Sequence, residues 1–175
     1  VGDKILINGT IGDHGMAVMA SREGLELESD ITSDSAPLNR LVADLIHGVG
    51  SQLHALRDPT RGGVATTLKE IAIQSEVEIT LRENSLPVDS TVAAACSILG
   101  LDPLFVANEG KLLAFIAPEA AEQALMIMRS HEFGKGAAII GEVTSTNKGK
   151  VRLQTTIGGL RAIEMLAGEQ LPRIC

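Results

Sequence analysis

Residues 53–75 place two periodicities back to back, and no other feature restricts the possible folds as much. Leu53-His-Ala-Leu-Arg57 reads as a strand, Asp58-Pro-Thr-Arg-Gly-Gly63 as a tight turn, and residues 64–75 as a helix. A strand passing through a short turn directly into a helix needs a sheet layer and a helix layer to bury both apolar faces. The same grammar recurs along the chain. Residues 4–7 form a short β-type run, a glycine-rich turn covers 9–15, and helical spacing follows over 16–22. Leu38, Leu41, Val42, Leu45, Ile46 and Val49 mark one face of an amphipathic helix. His47 lies beside that face and reads as a packed histidine, not a ligand. Residues 77–81 alternate as a strand. Asp89 or Ser90 caps a helix that Gly100 ends.

Residues 104–106 and 112–117 read as paired strands, with Asn108-Glu-Gly-Lys111 as the hairpin turn between them. On that reading Lys111 is a solvated turn residue. Pro118 opens a helix that ends near Gly134. Strands at 138–140 and 151–153 flank a polar loop, residues 158–166 read as either helix or strand, and 23–37 is a polar loop rich in Ser and Asp. The expectation is an α+β domain: a layered mixed sheet covered by helices.

Composition removes several function classes. The net charge is -7, so a phosphate backbone is not an expected partner. The chain has three Phe, no Trp and no Tyr, which leaves no stacking platform for single-stranded nucleic acid. No apolar run is long enough to span a bilayer. Two cysteines make a poor disulfide framework, and Cys96 sits in an Ala-rich apolar stretch as a small core residue. These features imply a reducing, cytoplasmic setting, with no nucleic acid, membrane or bound metal. The chain begins at Val1 and enters a strand almost at once, which reads as the back half of a longer protein.

Two turns carry chemistry. In 58–63, Asp58, Thr60 and Arg61 stand where a strand meets a helix start, and Gly62 and Gly63 permit close backbone approach. Arg61 suits a phosphate or carboxylate. A capped Asx-turn with Pro59 fixing φ is the plainer alternative. In the first turn, Asp13 reads as a helix N-cap.

The last residue is Cys175, a thiol beside the α-carboxylate, with Arg173 close by. A frayed end and a reactive arm both fit this chemistry. From Gly168 an extended arm spans about 23 Å.

Taken together, Asp58-Pro-Thr-Arg-Gly-Gly63, Asn108-Glu-Gly-Lys111 and the terminal Pro172-Arg-Ile-Cys175 resemble the HypE family of hydrogenase maturation proteins. Gly2-Asp3-Lys4 and Gly12-Asp-His14 resemble the start of that family's second half. The family is similar to aminoimidazole ribonucleotide (AIR) synthetase (PurM), selenophosphate synthetase and thiamine-phosphate kinase. The resemblance implies a PurM C-terminal-domain-like fold over residues 1–168 and a flexible tail over 169–175. It also implies an N-terminal ATP-binding and dimerisation domain that this chain lacks.

In function, the resemblance implies that Cys175 accepts a carbamoyl group from a HypF-type carbamoyltransferase. ATP-dependent dehydration leaves a thiocyanate, whose cyanide goes to iron held by a HypC–HypD complex. Glu109 is then the expected base, and Asp58, Thr60, Arg61, Gly62, Gly63 and Asn108 the expected groups that orient phosphate or tail. His14 is a weaker candidate. ATP and Mg2+ belong to the full-length parent, as does the homodimer. Neither cofactor is expected to be held firmly by this chain alone, which is expected to be inactive. Two alternatives stand beside this reading: another ATP-dependent enzyme of the superfamily, for which Cys175 is dispensable, and a non-catalytic module whose C-terminal peptide docks in a partner.

Overall fold

A computed structural model describes residues 1–23, 31–146 and 149–165. The strands are β1 (Lys4–Ile7), β2 (Leu53–Arg57), β3 (Glu78–Arg82), β4 (Leu113–Ile116), β5 (Ala138–Ser145), β6 (Lys150–Gln154) and β7 (Leu160–Ile163). The helices are α1 (Asp13–Glu23), α2 (Asn39–Val49), α3 (Gly63–Gln74), α4 (Ser90–Leu99) and α5 (Ala121–Ser130). The strands form one mixed sheet in the order β2-β4-β1-β5-β3-β6-β7. Every neighbouring pair is antiparallel except β3–β6.

The centre of this sheet is buried on both faces, which suits the continuous apolar runs of β4 and of residues 5–7 in β1. Alternate side chains separate into two cores. Ile5, Ile7, Leu113 and Phe115 join Val64 and Leu68 of α3 on one face. Leu6, Ala114 and Ile116 join Leu41 and Leu45 of α2 and Ala124, Leu125 and Met128 of α5 on the other. A third, smaller core sits between α1 and α4, where Met16, Val92, Ala95 and Cys96 meet Val106. Cys96 is therefore a core residue, and burial pushes its thiol pKa up to about 11, which keeps it protonated and inert.

The α+β expectation matches this architecture. Several local expectations do not. Residues 104–106 are not a strand: Pro103–Phe105 is a single 3-10 turn. Asp102 caps it, its Oδ1 accepting the Leu104 N–H at 3.0 Å. An Asp-Pro start fixes the turn, and Leu104 and Val106 then enter different cores. Without that strand, Asn108–Lys111 is not a hairpin turn, and neither Asn108 nor Gly110 has positive φ. Helix α1 begins at Asp13, one position inside the expected cap. His47 is exposed, not packed. Residues 160–163 settle as strand β7, with only Ile163 buried.

Candidate active site

Asn108 joins the segments that the sequence singles out. It is fully buried. Its Oδ1 accepts the Gly12 N–H at 2.8 Å, and its Nδ2 donates to the Pro59 carbonyl at 3.0 Å and the Val106 carbonyl at 3.1 Å. One side chain thus links the glycine-rich turn after β1, the turn before α3 and its own loop. Gly15 N donates to the Ala107 carbonyl at 3.1 Å and ties the start of α1 to the same place. Asn8, also buried, performs a parallel task at the other end of the same loop. Its Nδ2 donates to the carbonyls of Gly110 and Phe133, and its Oδ1 accepts the Leu112 N–H. Buried amides with both N–H groups and the oxygen bonded lock a loop in one geometry.

Within this clamp Glu109 is singular. Every residue from 106 to 117 is buried except Glu109, which is half-exposed. A carboxylate is thus presented from a turn whose neighbours are all fixed. Its backbone N–H donates to Asp34 Oδ1 at 3.1 Å. Lys111 is buried rather than solvated: its Nζ lies 2.9 Å from Asp34 Oδ2 and 3.8 Å from Asp13 Oδ2. A lone turn lysine reads as solvated only because its partner, Asp34, is remote in sequence. Gly110 has no room for a side chain, since a Cβ there would sit 1.7 Å from the Asp34 carbonyl oxygen.

The 58–63 turn lies against the same loop through Pro59. Asp58 and Arg61 are exposed, Thr60 and Gly62 half-buried, and Gly63 buried. The Thr60 carbonyl accepts the Gly63 N–H at 3.2 Å, closing the turn. Gly63 has φ 62, and a Cβ there would sit 2.5 Å from the Leu104 carbonyl, so only glycine brings α3 this close. His14 sits at the start of α1, its Nδ1 2.9 Å from Ser33 Oγ. Cys175 and the rest of 166–175 lie outside the described residues. Among the described residues, no group of three or more His, Cys, Asp or Glu is placed to hold a metal, and no helix is long and apolar enough to cross a membrane.

Beside the clamp, Thr10, Asp13, Thr32, Asp89 and Thr91 line a polar cleft of about 280 Å³, with Ile31 and Val92. Asp13 accepts a hydrogen bond from the Thr10 hydroxyl at 2.5 Å. Burial raises its carboxyl above the usual 3.8, against the lowering effects of Thr10 and Lys111; Asp34 and Asp89 raise it further. A carboxyl raised on folding weakens the folded state when ionised. That penalty is present at neutral pH and fades as the pH falls through the folded value towards 3.8. Asp13→Asn is therefore expected to melt at or above the wild-type temperature at pH 7, with the difference shrinking on acidification. A variant that is less stable at pH 7 and recovers in acid has the opposite sign and rejects this account.

Sequence reading missed Asn8, Asp34 and the burial of Lys111. Only Asn8 left a local signal, as an Asn-Gly pair closing an apolar strand.

Comparison with known proteins gives the geometry its context. Residues 1–154 match the family described as AIR synthase related protein, C-terminal domain. A carbamoyl dehydratase HypE from Bradyrhizobium diazoefficiens is 53% identical over 175 residues, which is 100% of this chain and 51% of that protein. A crystal structure of hydrogenase maturation protein HypE in complex with ATP matches with TM-score 0.93 and 49% identity, over 99% of this chain and 53% of that one. A crystal structure of a HypE–HypF complex matches with TM-score 0.89 and 49% identity, over 93% of this chain and 52% of that one. The chain spans about half the length of the relatives it matches. It belongs to the AIR synthase related protein family as a C-terminal domain, and within that family it matches the C-terminal domain of HypE.

Proposed function

We infer that this chain is the tail-bearing half of an ATP-dependent carbamoyl dehydratase acting in nickel–iron hydrogenase maturation. The setting of Glu109 carries the reading: it is the one half-exposed residue in an otherwise buried run, held by a clamp that also binds the 58–63 turn. Identity to HypE along the whole chain supports it.

In this reading the Cys175 thiol accepts a carbamoyl group from a HypF-type partner. Dehydration of that S-carbamoyl group removes its oxygen and both amide protons, leaving a thiocyanate on sulfur. ATP supplies the phosphoryl group that makes the amide oxygen a leaving group. Glu109 takes a proton from the amide nitrogen, a task that needs a carboxylate within hydrogen-bond reach. Thr60, Arg61 and the helix start behind Gly62 and Gly63 orient phosphate or the returning tail, with Asp58 at the rim. An exposed guanidinium beside a helix N-terminus suits that ligand chemistry. Asn108 acts by position, since its amide bonds the protein itself. The nitrile carbon then passes to iron on a HypC–HypD-type complex, with two electrons supplied by that complex, and the Cys175 thiolate is released. Dimerisation, Mg2+ binding and ATP turnover belong to the longer protein, and the isolated chain is expected to turn over no ATP.

The test is mass spectrometry of the C-terminal peptide. A full-length protein carrying this domain is incubated with a HypF-type partner, carbamoyl phosphate and ATP. The expected result is gain of one carbamoyl group on Cys175, then loss of one water. An unmodified Cys175 under these conditions rejects the reading.

A further inference from the structure

We propose that Asp34 is a positioning residue for the dehydration: it fixes the backbone of Glu109 and so aims the base. The proposal rests on the reading of Glu109 as that base. Asp34 comes from the polar loop before α2, a stretch without regular secondary structure. Its side chain is nevertheless only 4% exposed. One oxygen accepts the Glu109 N–H at 3.1 Å. The other pairs with Lys111 at 2.9 Å, out of line for a hydrogen bond. The Asp34 carbonyl rests directly on Gly110.

Glu109 is therefore gripped from both sides. Asn108 holds the preceding residue to Gly12 and Pro59, and Asp34 holds Glu109 itself and the two residues after it. A carboxylate acting as base must keep its angle to the proton it removes, and small misplacements are expensive in rate. A hydrogen bond from a backbone N–H to an ionised acceptor in a buried setting is a strong way to hold that angle. Lys111 holds Asp34 in place at 2.9 Å, and Asp13 shares the ammonium from the other side at 3.8 Å.

The experiment uses a full-length protein carrying this domain, with Asp34→Ala, Glu109→Gln and the double variant. In the Glu109 background, Asp34→Ala is expected to lower kcat for dehydration about 10-fold or more, with the KM for ATP unchanged. In the Glu109→Gln background it should change kcat by less than about 2-fold, because its effect passes through Glu109. Equal losses in both backgrounds, or no loss in either, overturn the proposal. Hydrogen exchange of the Glu109 amide gives a second reading that needs no activity. Asp34→Ala should speed that exchange about 10-fold or more, and an unchanged rate overturns the proposal. A fully active Glu109→Gln variant removes the base reading itself and the role of Asp34 with it. Exchange would then still report the contact, so the two failures are distinguishable.

Discussion

Asn108→Leu is expected to destabilise the domain by about 3–5 kcal/mol, close to the total stability of many domains. Leucine matches asparagine in shape but supplies no polar atom. The Gly12 N–H loses its acceptor, and the Pro59 and Val106 carbonyls lose the amide that served both. Each orphaned buried group costs about 1–3 kcal/mol, with donors at the expensive end. Asn108→Asp sharpens the argument, because it changes no volume. The oxygen that replaces Nδ2 would face the Pro59 and Val106 carbonyls, and only the bond from Gly12 to Oδ1 would remain, so it should be at least as damaging. Urea denaturation measures both variants: the midpoint should fall while the slope stays constant. A loss below about 1 kcal/mol for both would mean that water replaces the amide and that the three segments are held by other means.

Local chemistry explains why much of this fold is legible in the sequence. Residues 53–75 and 4–22 state their strand, turn and helix through periodicity and glycine alone, and both units fold in that order, with α1 starting at Asp13 inside the expected turn. The turn at Asp102-Pro103 reads as a strand in the sequence because three apolar residues in a row resemble a buried strand. Only the Asp cap and the proline distinguish a 3-10 turn. The candidate site was half legible. Its turns are local features, whereas its clamp is not. Asn108 meets Gly12 and Pro59 at separations of 96 and 49 residues, and Glu109 meets Asp34 at 75. No window along the chain contains both ends of such a bond. For the same reason Lys111 reads as solvated in sequence and proves to be buried.

Cys175→Ser is expected to abolish dehydration in a full-length protein carrying this domain, with no change in its folding. Serine keeps the size of the side chain and replaces the sulfur with oxygen. A hydroxyl is far less nucleophilic than a thiolate near neutral pH, so carbamoyl capture fails first. If serine were carbamoylated, dehydration would give a cyanate ester, not a thiocyanate, and the group handed to iron would be different. The loss should therefore exceed that of any substitution in the 58–63 turn, which affects orientation but not the reacting atom. Asp58, Thr60 or Arg61 changed singly should leave measurable turnover with an altered dependence on ATP. The decisive contrast is between two readouts on Cys175→Ser. ATP binding should survive, because no proposed phosphate contact involves the tail, while carbamoyl transfer to the C-terminal peptide should vanish. Retained dehydratase turnover without the thiol would transfer the domain to the branch of the superfamily that activates small molecules directly. Glu109, with Asn108 and Asp34 around it, would then be serving a free substrate in place of a tail.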